Sequence, residues 1–222
     1  MRLTYPDAES ARRLINTLGE QVRFYKLGLE LFLSGAYFEL ADELRARGKR
    51  VFADLKLFDI PATVARATAQ LARRQVDYLT VHGNDAILEA ALAERGDMAI
   101  LAVTVLTSLD QGDLDDLGFD CDVEQLVISR ARRALALGCA GVISSGLEAP
   151  ALRREVDHRL LVVCPGIRPV ANRADEQKRT LSVREAFAAG ADQIVVGRPI
   201  RDAADPGAAA AAIQDEISYI FS

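Results

Sequence analysis

The chain has 222 residues, half of them hydrophobic and none of them tryptophan, with 27 lysines and arginines against 32 aspartates and glutamates for a formal net charge of -5. That size permits one domain with a substantial core of Ala, Leu, Val and Ile, and the acidic balance argues against nucleic acid or an anionic membrane as partner. No stretch reaches the ~20 apolar residues that span a bilayer, and the opening MRLTYPDAES lacks the apolar run of a secretory signal. Cys121, Cys139 and Cys164 are few, odd in number and far apart. They fit free thiols in a reducing cytoplasm rather than a disulfide framework or a zinc site.

A strand stub at 2–5 opens the chain, and a helical pattern follows at 8–18. From there apolar runs at 22–25, 50–55, 77–81, 99–105, 141–144, 160–164 and 193–196 read as strands. Between them lie amphipathic stretches at 31–47, 63–74, 86–95, 123–137, 149–156 and 182–189, and a last helix at 206–219 closes the chain. Gly19, Gly48, Gly138 and Gly190 stand where helices give way to strands, which is helix C-terminal chemistry. Ser182 with Glu185 has the spacing of a capping box. Strict alternation of strand and helix implies a parallel sheet with right-handed crossovers. Seven strands and the stub therefore predict a single α/β domain over 1–222, a (β/α)8 TIM barrel whose first strand is short or truncated. A doubly wound open sheet is the competitor. It is disfavoured because no GxGxxG follows an early strand, and because polar residues recur at strand ends, which a barrel gathers at one mouth.

Those polar residues are Lys26, Asp54, Lys56, His82, Thr107, Arg168, Gly197 and Arg198. The stretch DLKLFDIPAT, residues 54–63, is the most informative. Asp54 and Lys56 are two apart and share a strand face, and charges at the end of a buried strand are costly unless they pair or do chemistry. Lys26, ending the strand at 22–25, adds a second cation. After the final strand, VVGRPI at 195–200 puts Gly197 and Arg198 where barrels commonly bind phosphate. There the glycine would admit an anion close to the backbone and the arginine would grip it bidentately. PGIRP at 165–169 opens a polar loop at 170–179 carrying Gln177, which reads either as a lid over a phosphorylated ligand or as a solvated connection.

With these motifs in view, the chain resembles the bacterial orotidine 5'-monophosphate decarboxylases over essentially its whole length. The matching stretches are YKLGLELF (25–32), FADLKLFDIPAT (52–63), TVH (80–82), LAVTVLTSLDQGDLDDLG (101–118), PGIRP with Gln177, and VVGRPI. DxKxxD alone is shared by a wider suprafamily of phosphosugar barrels; joined to the other motifs it is highly specific. The resemblance implies conversion of orotidine 5'-monophosphate to UMP and carbon dioxide, the last step of pyrimidine synthesis, with no metal, flavin or pyridoxal phosphate. It implies that Lys56 donates the proton to C6 of the pyrimidine, that Asp54 sits beside the substrate carboxylate, and that Lys26 completes the charge array near the ribose. It further implies that Thr107 and Gln177 hold the pyrimidine end, and that Arg168, Gly197 and Arg198 serve the phosphate. Asp59, Ile60 and Thr63 would reach the site of the other subunit of a homodimer.

Two alternatives stay open beside it. One is a magnesium-dependent phosphosugar decarboxylase or hexulose-phosphate synthase of the same suprafamily; those enzymes resemble one another in placing an acidic metal ligand where this chain has Lys26, and a lysine there repels Mg²⁺. The other is a weakened barrel that only binds a nucleotide. The second is motivated by Thr4, which stands where the family usually has an aspartate that contacts ribose. Phe58 and Ala62 also depart from the His and Asn that bacterial relatives often carry, and the segment Gly83, Asn84, Asp85 lacks a second glycine. His82 is expected to be structural and His158 to lie on the surface.

Overall fold

Eight strands lie in one parallel sheet in sequence order: β1 Arg2–Leu3, β2 Phe24–Gly28, β3 Arg50–Leu57, β4 Tyr78–His82, β5 Ala99–Val103, β6 Gly141–Ile143, β7 Leu161–Cys164 and β8 Gln193–Ile194. The computed structural model describes residues 1–3, 7–168 and 181–222. Each successive pair is parallel and joined by a helical crossover. The ring closes where the Arg2 N–H donates to the Val196 carbonyl at 2.7 Å, just beyond β8. On its other side β1 is tied to β2, the Lys26 N–H donating to the Met1 carbonyl at 2.7 Å. The result is a (β/α)8 barrel, with a first strand of two described residues; Thr4 lies outside the described residues.

The strands are apolar runs rather than strict alternations because both of their faces are covered. One face packs inward, where Phe52, Tyr78, Leu101, Val163 and Val195 form a cluster that fills the barrel interior. The other packs outward against the helices in a much larger cluster that includes Leu27, Ala53, Leu79, Ala102 and Val142. Period two then sets the position of the charged residues: Phe52 belongs to the interior plug, and Asp54, two residues on, faces the mouth above it.

Helix ends follow their capping chemistry. Ser182 and Glu185 form the predicted reciprocal box, and so do Asp122 with Gln125 and Asp110 with Asp113. Gly138 ends the helix Val123–Leu137 in the left-handed region at φ 95°, a conformation glycine adopts without strain.

The structure corrects several predicted bounds. The helix expected over 31–47 is two helices, Leu29–Leu33 and Tyr37–Ala46. The break falls where the Ser34 hydroxyl donates to the Leu31 carbonyl at 2.7 Å and Gly35 turns to φ 84°. Two helices without an amphipathic signal, Gln111–Asp116 and Arg198–Arg201, span too few turns for periodicity to show. The second strand lies further along than 22–25, so Lys26 is inside it rather than after it.

Candidate active site

A cavity of about 570 Å³ opens at the end of the barrel where the strands finish, within the range of small-molecule sites. Its charged lining among the described residues comprises six cations, Arg2, Lys26, Lys56, Arg168, Arg198 and Arg201, and one carboxylate, Asp54. The carboxylate is the hub. Its Oδ2 pairs with the Lys26 ammonium, and its Oδ1 accepts from Lys56 Nζ at 2.7 Å. Thr80, fully buried on β4, donates its hydroxyl to the same Oδ1 at 3.0 Å.

Burial by itself raises the Asp54 carboxyl, but the two ammoniums overcome it and hold the group down at about 2. Burial pulls Lys26 the other way, down to about 8, despite the pull of Asp54, with Lys56 and Arg2 adding to the depression. The two partners differ because two cations share one carboxylate. Pairing wins at Asp54, while desolvation wins at Lys26, which shares that carboxylate with Lys56 in a cationic neighbourhood.

The backbone of β3 is unusual here. The β3–β4 register shifts between Ala53 and Leu57, and Lys56 adopts φ 48°, one of two non-glycine residues with positive φ among those described. Asp54 and Lys56 do meet, as residues two apart in a strand should, but they meet across a bulge. Bulges of this kind re-aim side chains beside active sites.

Of the residues singled out by sequence, Lys26, Asp54, Lys56, Thr107, Arg168, Gly197 and Arg198 all line this one cavity. Gly197 has φ -124°, not the positive φ that favours glycine; a Cβ there would meet the Arg2 side chain at 3.4 Å. What the glycine leaves is room beside Arg2. Asp59, Ile60 and Thr63 do not line the cavity of their own chain. Asp59 is exposed, its carboxylate accepting the Ile60 N–H at 2.6 Å, and among the described residues the charge array within one chain runs Lys26–Asp54–Lys56. Gln177 and the polar loop at 170–179 lie outside the described residues. His82 packs its ring on Phe58 at 4.7 Å and is not among the cavity's lining residues. Its pKa is lowered, first by burial and then by Arg130 and Lys56. His158 is exposed. Sequence reasoning missed Arg2, Arg201, Ser108 and Thr80; for Arg201 a signal existed, since it lies one helical turn after Arg198.

Fold and cavity together define a (β/α)8 barrel whose strand ends build a small site for a multiply anionic ligand, with a lysine–aspartate–lysine array in its wall. The chain belongs to the Orotidine 5'-phosphate decarboxylase / HUMPS family, whose model matches residues 3–213. It is 63% identical to the orotidine 5'-phosphate decarboxylase of Methylococcus capsulatus over 100% of this chain and 92% of that protein. To the enzyme of the same name from Xanthomonas euvesicatoria it is 52% identical over 97% and 89% of the two chains. Among solved structures it is similar to orotidine 5'-phosphate decarboxylase from Lactobacillus acidophilus, with a TM-score of 0.85, 31% identity, and coverage of 97% and 96%.

Proposed function

We propose that the protein converts orotidine 5'-monophosphate to UMP and carbon dioxide, the final step of pyrimidine biosynthesis, without a cofactor. The observation that carries this reading is the Lys56 ammonium, fixed 2.7 Å from Asp54 in the wall of a cationic cavity, in a chain so close to named decarboxylases. Losing carbon dioxide from an sp2 ring carbon leaves a localised carbanion. An ammonium already in place beside that carbon stabilises the developing charge and then protonates it. Lysine suits the task as a compact cation with a proton to give. Asp54 keeps Lys56 charged and aimed, since a nearby opposite charge favours the ionised form, and Lys26 holds the other carboxylate oxygen near the ribose. Thr107 serves the pyrimidine end. Arg168, Arg198 and the Gly197 backbone serve the phosphate, and Arg2 and Arg201 add to the cationic field there. One lysine cannot supply a barrier reduction of up to ~20 kcal/mol. Binding energy from the remote phosphate supplies much of the rest by organising the site.

The functional unit in this reading is a homodimer of one-domain barrels in the cytoplasm. Leu29 and Leu33, just after β2, are 52% and 81% exposed, and Phe58 and Ile60, just after the adjacent β3, are each 66% exposed. Apolar side chains concentrated beside one edge of the mouth suit a covered surface. A second copy seated there would bring Asp59, Ile60 and Thr63 toward its partner's cavity and supply the second aspartate of the array.

A magnesium-dependent phosphosugar reaction is the weaker reading. Both oxygens of Asp54, the one carboxylate among the cavity's described lining residues, are already engaged by ammoniums, whereas Mg²⁺ wants free carboxylate oxygens. A spectrophotometric assay with orotidine 5'-monophosphate and a chelator tests the assignment. Turnover is expected; none, or turnover restored only by Mg²⁺, defeats it.

A further inference from the structure

Thr80 lies on β4 with none of its surface exposed, and it is not among the residues lining the cavity. Its hydroxyl nevertheless holds two parts of the site at once. As acceptor it takes the backbone N–H of Lys56 at 2.9 Å. As donor it gives its single proton to Asp54 Oδ1 at 3.0 Å, the Ala53 carbonyl being a more distant acceptor at 3.5 Å.

Both bonds follow from the bulge in β3. Between Ala53 and Leu57 the ladder to β4 is out of register, so the Lys56 N–H must find a partner other than a β4 carbonyl. Left unsatisfied in the barrel wall, that N–H would carry a desolvation cost. Lys56 is also held at φ 48°, where a residue with a Cβ persists only if its surroundings over-determine it. A hydroxyl that accepts from the Lys56 backbone and donates to the carboxylate that grips the Lys56 ammonium fixes the residue at both ends. An apolar side chain of the same shape could fill the space but make neither bond.

We infer that Thr80 is a positioning residue for the decarboxylation, acting through the strained backbone of Lys56 and through Asp54 Oδ1, without touching substrate. The inference rests on the decarboxylase reading above. Its test compares wild type with Thr80→Val, Thr80→Ala and Thr80→Ser, measuring kcat and KM for orotidine 5'-monophosphate, UMP affinity and thermal unfolding. Loss of two hydrogen bonds, one to a charged group, predicts a fall in kcat of about ten- to a hundredfold in the Val variant. KM and UMP affinity should change less than about threefold, because the phosphate-side cations are untouched. Thr80→Ser keeps a hydroxyl and should recover most of kcat. If Val at this buried position fails to fold, the Ala and Ser variants carry the same contrast. A hydroxyl-free variant with wild-type kcat overturns the inference, as does a Ser variant as slow as the hydroxyl-free ones. No turnover by the wild-type protein would instead overturn the decarboxylase reading itself.

Discussion

Two lysines competing for one carboxylate give the site its pH behaviour. Asp54 ordinarily ionises near 3.8 and is held at about 2 in the fold. A depressed carboxylate contributes stability that is present above its ordinary value and is lost as pH falls through the folded one. Urea unfolding of the wild type should therefore weaken more steeply between about pH 4 and pH 2 than that of Asp54→Asn. Equal slopes would mean that the ion pairs do not persist in solution. Lys26, lowered to about 8 chiefly by burial, predicts the opposite edge. In the free enzyme kcat/KM should decline as pH rises through about 8, when the neutral amine ceases to grip Asp54. A profile flat to pH 9 would remove Lys26 from the charged array. At Lys56 the expectation is simpler. Replacing it by Ala removes the proposed proton donor, so turnover should vanish while a UMP-like ligand still binds through the arginines, as calorimetry can read. Substantial residual turnover would move the acid role to another group.

Elements were legible in the sequence to the degree that local pattern determines them. The runs that became β3 to β7 were visible because strands covered on both faces must be apolar throughout, and the helix Ala8–Leu18 shows its full apolar face. The bulge was not legible. It shows only across strands, where the Thr80 hydroxyl of β4 takes the Lys56 N–H, and single-strand periodicity carries no information about a cross-strand partner. The split of the 31–47 helix did carry a signal, since nine residues place Leu31 and Leu40 on opposite sides of any continuous helix, with Gly35 between them. Another cross-strand constraint sits at Gly141, which pairs with Leu161. A Cβ on Gly141 would lie 2.4 Å from the Leu161 carbonyl oxygen, which is backbone and cannot swing away. Gly141→Ala should thus cost about 2–3 kcal/mol through forced strand separation, a drop in Tm on the order of 5–10 °C for a domain of this size. An unchanged Tm would show that β6 and β7 can part without penalty.

At the scale of the molecule, barrel closure brings the ends of the chain together. Arg2 meets Arg198 and Arg201 around one cavity, a juxtaposition that the barrel topology implies and no single local motif shows. In the proposed dimer a second copy would extend the same principle. Asp59 stands exposed outside its own chain's cavity, next to the exposed Phe58 and Ile60, so an array completed by Asp59 requires a partner. An isologous interface gives a quantitative expectation. Lys56→Ala and Asp59→Ala are each expected to be inactive as homodimers. After mixing and reassociation in equal amounts, half the dimers pair one of each, and every mixed dimer holds one site with both lesions and one with neither. About a quarter of wild-type activity should return. Ile60→Asp, which places a charge in the apolar surface, should shift sedimentation toward the monomer and abolish that recovery. If Asp59 instead served its own chain, each mixed site would retain one lesion and mixing would restore nothing.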